Sequence, residues 1–226
     1  MHNMKKIVTE EGKTISIQMN RNLYGKNEEL AKKNWATFNR HHIHAVDILG
    51  SIGSGKTSTI QQLVFNLKER YRIAAIAGDL TTTIDADRIR EKGANVLQVN
   101  TDGGCHLDAN IIQNTLKVLD LDSLDLVFIE NVGNLICPAS FPLGAHQRLV
   151  VVSVTEGPYM IVKHPHIFQG ASVLAINKID LAKAMDVDPE QLKADARRIQ
   201  PNIHVVSTNA RTGEGIPELI DALKLK

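Results

Sequence analysis

Charge of one sign, aromatic side chains, cysteines and long apolar runs are all scarce in this sequence of 226 residues. The formal net charge is +1, and no run of lysine or arginine is dense enough to form a nucleic-acid-binding stripe. The longest apolar stretches, such as 149–154, are far shorter than the roughly 20 residues that a transmembrane helix needs. Neither a nucleic acid nor a membrane is therefore expected as a partner.

The sequence contains two cysteines, Cys105 and Cys137, which are too few for a disulfide scaffold. Its first residues include lysines but no apolar segment of the kind that a signal peptide carries. We therefore expect a cytoplasmic protein whose two thiols stay reduced and are available for metal or redox chemistry.

Apolar, β-branched segments alternate with helical patterns along most of the chain. Short buried strands separated by helices favour βαβ units, so we predict an α/β fold with a mostly parallel central sheet flanked by helices, and with an N-terminal helix. Residues 1–21 are predicted to be a flexible or irregular lead-in, and 22–226 a single domain. The predicted strands are 45–49, 73–77, 96–99, 126–129, 149–154, 173–176 and 203–206. The predicted helices are 22–40, 56–70, 84–92, 107–119, 189–199 and 216–225.

The segment 50–57 has the pattern G-x-x-x-x-G-K-T and lies between a predicted strand and a predicted helix, as a P-loop does. Its glycines let the backbone curl around a phosphate, and the following helix N-terminus adds positive potential. Lys56 is predicted to bridge the β- and γ-phosphates, and the Thr57 hydroxyl to ligate Mg²⁺. The residues predicted to bind nucleotide here are Gly50, Ser51, Ile52, Gly53, Ser54, Gly55, Lys56, Thr57 and Ser58.

The pattern N-K-x-D at Asn177, Lys178 and Asp180 directly follows the predicted strand 173–176. A carboxylate at this place accepts hydrogen bonds from guanine N1–H and the 2-amino group, whereas adenine offers no such pair of donors. The wrong base would leave the carboxylate unpaired, which makes the discrimination strong. The sequence therefore predicts GTP as the substrate. Three residues after the last strand are expected to contact guanine O6 through the backbone: Ser207, Thr208 and Asn209.

Two acidic residues end predicted strands beside the P-loop. Asp79 follows the second strand and Glu130 the fourth, and an acid in this position is typical of the Mg²⁺ site. Glu130 is predicted to be the Walker-B acid that acts with Thr57 on Mg²⁺, and Asp79 to be a Mg²⁺ partner or to position the attacking water. The alternative for both is a surface carboxylate that caps a loop. The Gly133 N–H is predicted to sense the γ-phosphate. Asp85 is a further candidate for the role of Asp79, with a helix cap as the alternative.

The predicted chemistry is hydrolysis of GTP to GDP and phosphate, with Lys56, Asp79 and Glu130 assigned to catalysis. No arginine stands out in the sequence as a finger supplied by the chain itself. We therefore predict a slow intrinsic turnover, well below assisted rates of roughly 10 s⁻¹.

Both cysteines lie on predicted loops at the nucleotide edge of the sheet, and His106 adjoins Cys105. Thiolate and imidazole suit Zn²⁺ or Ni²⁺ rather than hard cations. Cys105, His106 and Cys137 supply three ligands, too few for a closed structural zinc site, but a two-fold dimer would bring two such sets together. The alternative is a pair of unrelated core cysteines, because free cysteine is usually buried.

Four segments together resemble the HypB family of hydrogenase nickel-incorporation GTPases, which belong to the SIMIBI class of P-loop GTPases. They are the P-loop 50–57, C-H-L-D-A at 105–109, E-N-V-G-N-L-I-C-P at 130–138 and N-K-I-D at 177–180. The resemblance spans about residues 22–226. It implies a SIMIBI-type G domain that assists nickel insertion into [NiFe] hydrogenase. It further implies a homodimer favoured by GTP and metal, with a Ni²⁺ or Zn²⁺ site of Cys105, His106 and Cys137 at the dimer interface. The implied partners are a HypA-type nickel chaperone and the precursor of the hydrogenase large subunit.

Some members of that family carry an N-terminal cysteine-rich motif or a long histidine tract, and this sequence contains neither, so nickel storage is not expected. His41, His42 and His44 are interpreted as structural or solvated, with an auxiliary metal site as the alternative. Lys163 occupies the position that reaches toward the partner's nucleotide in the family, with an ordinary exposed lysine as the alternative.

Two other functions compete with this interpretation. The urease nickel GTPase UreG shares the fold, but its metal motif is C-P-H, whereas Cys105 and His106 are adjacent here and are followed by Leu107. UreG also lacks the second cysteine. The other alternative is a regulatory GTP switch whose cysteines are incidental and whose output is the binding of a protein partner.

Overall fold

A computed structural model describes residues 10–79, 84–100 and 104–225 of the chain. In this part of the chain, a long N-terminal helix precedes seven strands that alternate with shorter helices. The strands are β1 (His44–Leu49), β2 (Ile73–Asp79), β3 (Asn95–Asn100), β4 (Leu126–Glu130), β5 (Gln147–Ser153), β6 (Val173–Asn177) and β7 (His204–Ser207). The helices are α1 (Glu10–Arg40), α2 (Lys56–Leu67), α3 (Ile84–Arg90), α4 (Ala109–Leu116), α5 (Met160–Lys163), α6 (Pro165–Gln169), α7 (Pro189–Ile199) and α8 (Ile216–Ala222).

The strands form one sheet in the order β3-β2-β4-β1-β5-β6-β7, and every neighbouring pair is parallel. The carboxyl ends of all strands therefore meet at one edge of the sheet, here called the carboxyl edge. The opposite edge is the amino edge. This arrangement confirms the predicted α/β fold with a parallel central sheet.

The sheet is covered by helices on both faces, which explains why its central strands are almost wholly apolar. On β5, Leu149 and Val151 pack with α2, α3 and α8, whereas Val150 and Val152 pack with α5, α6 and α7. Phe38 of α1 and the buried side of α4 cover the second face at β1, β2 and β4. Throughout the described ranges, every helix is too short or too polar to span a membrane.

The predicted strands are all present, with ends shifted by a few residues, and so are the helices predicted between them. Two short helices, α5 and α6, were not predicted. The predicted first helix, 22–40, begins instead at Glu10, so part of the expected irregular lead-in is helical. That stretch holds no proline to stop a helix, but its polar side chains lack the regular apolar spacing by which a helix is recognised. Residues 1–9 lie outside the described part.

Candidate nucleotide and metal site

The loop between β1 and α2 follows a path that only glycine can take at two positions. Gly55 has φ of +102°, and a Cβ there would lie 2.1 Å from Nδ2 of Asn177. A Cβ on Gly50 would lie 2.3 Å from the carbonyl oxygen of Val151. The missing side chains let the loop curl tightly against its neighbours, and α2 begins directly after it at Lys56.

A cavity of about 440 Å³ opens above this loop at the carboxyl edge. Its volume lies within the range of small-molecule sites. The Lys56 ammonium folds over the loop and donates hydrogen bonds to the carbonyl oxygens of Ser51 and Gly50, at 3.0 and 3.3 Å. The cavity wall includes the predicted residues Ile52, Gly53, Gly55, Lys56, Thr57, Ser58, Asp85, Glu130, Gly133 and Lys178.

The hydroxyl of Thr57 donates a hydrogen bond of 2.7 Å to Oε1 of Glu130, and both side chains are buried. The structure thus brings together two of the residues predicted for Mg²⁺, and their oxygen donors fit a hard cation. Asp79 closes β2, beside β4, but its side chain lies outside the described part of the chain. Asp85 is in the first turn of α3 on the cavity wall.

Arg88 also lines the cavity, and the sequence analysis did not single it out. Its guanidinium donates to the Ser58 hydroxyl at 3.3 Å, to Oε1 of Gln61 at 3.1 Å and to Oδ1 of Asp85 at 3.2 Å. These bonds connect α3 to α2 beside the P-loop. The only signal in the sequence is an arginine three residues after Asp85 on the helix that follows Asp79.

Gly133 lies directly against the P-loop. A Cβ at Gly133 would lie 2.4 Å from the Cγ1 atom of Ile52 and 3.0 Å from its backbone nitrogen. Because Gly133 also lines the cavity, its position agrees with the predicted role as a sensor of the γ-phosphate.

The start of the N-K-x-D loop is fixed to the P-loop by side-chain hydrogen bonds. Nδ2 of the buried Asn177 donates to the carbonyl oxygen of Ser54 at 2.9 Å, and its Oδ1 accepts from the Ala210 N–H at 2.9 Å. Lys178 has φ of +60°, and its ammonium donates to the carbonyl oxygen of Gly53 at 2.7 Å. Asn177 and Lys178 therefore hold the two loops in register.

Asp180 is exposed just beyond this anchor, so its carboxylate is accessible to a base. Unlike the Asp180 carboxylate, two of the backbone N–H groups predicted to contact guanine after β7 are not available to a base. The N–H of Thr208 donates to the Ile176 carbonyl oxygen at 2.7 Å, and the N–H of Asn209 donates to that of Glu214 at 2.9 Å. These two N–H groups are already used within the chain. The three residues predicted to contact guanine, Ser207, Thr208 and Asn209, do lie next to Asn177.

The structure gathers Cys105, His106 and Cys137 into one cluster at the carboxyl edge. One potential ligand atom from each lies within 4.8 Å of the others, and Sγ of Cys105 is 3.5 Å from Nδ1 of His106. Cys105 is exposed and Cys137 is partly buried, so the alternative of two core cysteines is wrong. The two sulfurs and one imidazole suit Ni²⁺ or Zn²⁺.

The surroundings of the cluster favour the metal-binding form of His106, the neutral imidazole, and oppose that of Cys105, the thiolate. The His106 ring stacks on Phe141 with centroids 4.0 Å apart, and burial lowers the pKa of His106, which favours the neutral, ligating imidazole. A hydrogen bond with Cys137, followed by burial, raises the pKa of the Cys105 thiol. Metal binding must therefore displace a proton from sulfur.

The remaining candidates lie apart from this cluster. His41 pairs with Asp122 at 2.6 Å, and Nε2 of His44 lies 3.2 Å from Oε1 of Gln147, which agrees with the structural interpretation of these histidines. His42 is exposed. Lys163 ends α5 beside a second cavity, of about 530 Å³, which Ser51 and Ile52 of the P-loop also line.

The strand, loop and helix around Lys56, together with the N-K-x-D loop on the same edge of a parallel sheet, define a P-loop nucleotide-binding protein. A model of the family described as CobW/HypB/UreG, nucleotide-binding domain, matches residues 44–207. The chain is 48% identical over 198 residues to the probable hydrogenase maturation factor HypB of Methanocaldococcus jannaschii, covering 88% of this chain and 90% of that protein. The chain therefore belongs to the CobW/HypB/UreG family, and within it to HypB.

Solved structures support the same assignment. The crystal structure of the hydrogenase maturation factor HypB from Archaeoglobus fulgidus matches with a TM-score of 0.82 at 42% identity, covering 88% of this chain and 98% of that chain. The crystal structure of HypB from Helicobacter pylori in complex with nickel matches with a TM-score of 0.83 at 30% identity, covering 88% and 94%. The resemblance predicted from the four sequence segments is confirmed.

Proposed function

We propose that the chain is a GTP-hydrolysing metallochaperone that holds nickel between Cys105, His106 and Cys137 during the maturation of [NiFe] hydrogenase. The observation that carries this proposal is the position of the Cys/His cluster beside the P-loop cavity on the same edge of the sheet. The segment 130–137 contributes to both, because Glu130 bonds to Thr57 and Cys137 belongs to the cluster. The maturation-factor name of the relatives and the nickel complex of one of them agree with this function.

In the proposed reaction, water attacks the γ-phosphate of GTP and releases GDP and phosphate. Thr57 and Glu130 would hold Mg²⁺, which neutralises charge on the β- and γ-phosphate oxygens when it is bound. Lys56 would bind the same phosphates, and the Gly133 N–H would contact the γ-phosphate. The role proposed for Asp79 is to position the attacking water. The substrate is proposed to be GTP rather than ATP, because the exposed Asp180 carboxylate can accept hydrogen bonds from guanine N1–H and the 2-amino group, a pair of donors that adenine lacks.

The metal is proposed as cargo rather than as a permanent structural ion. Three ligands leave a position open in a four-coordinate site, and the exposure of Cys105 gives a recipient access to the metal. A two-fold dimer would place two such sets together. The exposed apolar side chains of Ile52, Ile136 and Tyr159 lie on the P-loop and on its flanking segments, where such an interface would bury them.

The further partners are proposed from the family. They are a HypA-type nickel chaperone as the donor or exchange partner and the hydrogenase large-subunit precursor as the recipient. The described cluster could exchange nickel with either protein by replacement of one ligand at a time, since its exposed thiol lies at the surface.

The proposal is tested by titrating Ni²⁺ into the wild-type protein and into Cys105→Ala and His106→Ala. Loss of a ligand is expected to weaken nickel binding at least about tenfold, because even groups that only support a ligand contribute 10- to 100-fold. GTP binding should stay within about twofold in both variants. His204→Ala is the control, since His204 is exposed at the start of β7, on the amino edge.

Equal nickel affinity in all four proteins would refute the metallochaperone function. If GTP binding persisted in that case, the chain would be a GTP switch with incidental cysteines. Failure of the wild-type protein to bind GTP in the presence of Mg²⁺ would refute the nucleotide half of the proposal.

A further inference from the structure

Asn134 contacts both the P-loop and the two segments that supply the metal ligands. Its backbone N–H donates to the carbonyl oxygen of Gly50, the first residue of the P-loop, at 3.1 Å. Its side-chain Nδ2 donates to the carbonyl oxygen of Cys105 at 3.2 Å. Its Oδ1 accepts from the N–H of Ile136 at 2.8 Å, one residue before Cys137. Asn134 thus connects the P-loop, the Cys105 segment and the Cys137 segment.

The neighbouring residues show that this connection is specific. The buried Asn131 also bonds to the metal-binding segment, since its Oδ1 accepts from the Leu107 N–H at 2.9 Å, but its amide points toward Asp47 in the sheet rather than to the P-loop. Gly133 touches Ile52 of the P-loop without a side chain to reach the cysteines. Asn134 thus joins the P-loop to the Cys105 segment through hydrogen bonds of its own backbone and side chain.

The contact at Gly133 explains how a nucleotide would act on Asn134. A γ-phosphate that draws the Gly133 N–H toward itself must also move the next residue along the chain. If the backbone of Asn134 stays bonded to Gly50, such a shift reorients its carboxamide, which bonds to the Cys105 carbonyl oxygen and to the Ile136 N–H, next to Cys137. Cys105 and Cys137 supply the sulfur ligands, and their separation sets the geometry available to the metal.

We infer that Asn134 is a positioning residue that couples the nucleotide state of the P-loop to nickel affinity at the Cys105 and Cys137 sulfurs. This inference rests on the proposed function, because it requires both GTP and nickel to bind. The carboxamide itself touches neither ligand atom. Its removal should therefore reduce the coupling while leaving both sites chemically complete.

The test measures the dissociation constant of Ni²⁺ with GDP and with a non-hydrolysable GTP analogue, in wild type and in Asn134→Ala. Coupling between sites typically changes affinity by 5- to 150-fold. We expect the two constants to differ by at least about fivefold in wild type and by less than about twofold in Asn134→Ala. Asn66→Ala is the matched control. The Asn66 side chain is exposed on α2, and its described hydrogen bond is to the Gln62 carbonyl oxygen of the same helix, so the wild-type ratio should persist.

A second variant, Asn134→Asp, keeps the test valid if Asn134→Ala does not fold. It retains an acceptor for the Ile136 N–H and removes only the donor to Cys105. Its negative charge acts on the metal in both nucleotide states, so it changes the absolute affinities but should still reduce their ratio. Linkage supplies an independent check, because the effect of Ni²⁺ on affinity for the GTP analogue must fall by the same factor.

The outcomes separate this inference from the function on which it rests. A wild-type ratio of one, with both ligands bound, would overturn the coupling and leave the proposed function intact. A wild-type ratio that persists in the Asn134 variants would show that the carboxamide is not the connection. Absence of nickel or GTP binding in the wild type would instead refute the proposed function.

Discussion

The guanidinium of Arg88 brings a positive charge to the wall of the nucleotide cavity, held by bonds to Ser58, Gln61 and Asp85. A preorganised donor near the phosphates stabilises charge that develops in the transition state. The prediction of slow turnover took no account of this residue. The contribution of Arg88 to the rate of GTP hydrolysis therefore needs to be measured.

We predict that Arg88→Ala lowers the single-turnover rate of GTP hydrolysis about tenfold or more, because a cation beside the phosphates is lost. The affinity for GDP should change by less than about twofold, since the P-loop is intact. Arg90→Ala is the control, as Arg90 lies on the same helix but pairs with Asp87. Equal rates in all three proteins would mean that Arg88 only ties α3 to α2.

At this scale the sequence predicted the residues that belong to contiguous motifs, such as Thr57 and Glu130, whose hydrogen bond the structure shows. It did not predict Arg88 or the connecting role of Asn134. Each of these residues also bonds to distant parts of the chain, Arg88 to Ser58 and Gln61 and Asn134 to Gly50 and Cys105, and local spacing does not predict such partners. Their roles become visible only when the fold brings the segments together.

Strands β1 and β5 are joined by a buried ion pair between Asp47 and Arg148. Nε of Arg148 lies 3.1 Å from Oδ2 of Asp47, with side chains 14% and 3% exposed. Burial raises the pKa of Asp47, while the Arg148 guanidinium and the Asn131 amide act in the opposite direction. Arg148 also donates to the carbonyl oxygen of Ala139 at 3.3 Å, in the turn that begins at Cys137. The pair therefore supports the segment that carries Cys137 from the sheet.

We predict that Asp47→Ala lowers the free energy of unfolding by about 3 kcal/mol, because it leaves the largely buried Arg148 guanidinium without its carboxylate. Denaturant unfolding monitored by circular dichroism measures the change. The control is Asp122→Ala, since Asp122 is exposed and pairs with His41 at the surface. That pair should contribute less than about 1 kcal/mol. A loss below this value in Asp47→Ala would show that the buried pair adds little.

Among the elements, the strands were predictable because helices cover both faces of the sheet and force continuous apolar runs such as 149–152. Helices α5 and α6 were not, because elements as short as Met160–Lys163 contain about one turn and show no period. The early start of α1 escaped prediction for a related reason, since a mostly polar helix shows no apolar stripe. Helices α5 and α6 do bury Met160, Ile161, Ile167 and Phe168, but one turn is too short for this burial to appear as a helical period.

At the scale of the whole molecule, His44 and His146 contribute to a dependence of stability on pH, in the same direction as His106. The rings of His44 and His146 stack with centroids 5.2 Å apart at the amino edge, and Nδ1 of His146 accepts a hydrogen bond of 3.0 Å from the Ala45 N–H. Burial lowers the pKa of both histidines, and the neighbouring His44 lowers that of His146 further. Protonation of Nδ1 would also break the bond to Ala45.

We predict that the free energy of unfolding falls as the pH is lowered from about 7.5 to about 5.5. The unfolded histidines take up protons near their ordinary pKa of about 6.5. The folded ones do so only at lower pH, so acid favours the unfolded state below about 6.5. His146→Asn, which retains an acceptor but does not titrate, should flatten the profile over this range. An unaltered slope in His146→Asn would contradict the prediction.

The segment from Glu130 to Cys137 limits the distance between the proposed nucleotide site and the proposed metal site. The four peptide steps between Gly133 and Cys137 span at most about 14 Å even when fully extended. A γ-phosphate at Gly133 and a nickel ion at Cys137, as proposed above, would thus be bound by one short segment whose length no domain movement can change. If this segment unfolds locally as one cooperative unit, the binding of nucleotide and of metal is weakened together. Nucleotide exchange and metal release would then depend on the same local opening and occur at the same rate.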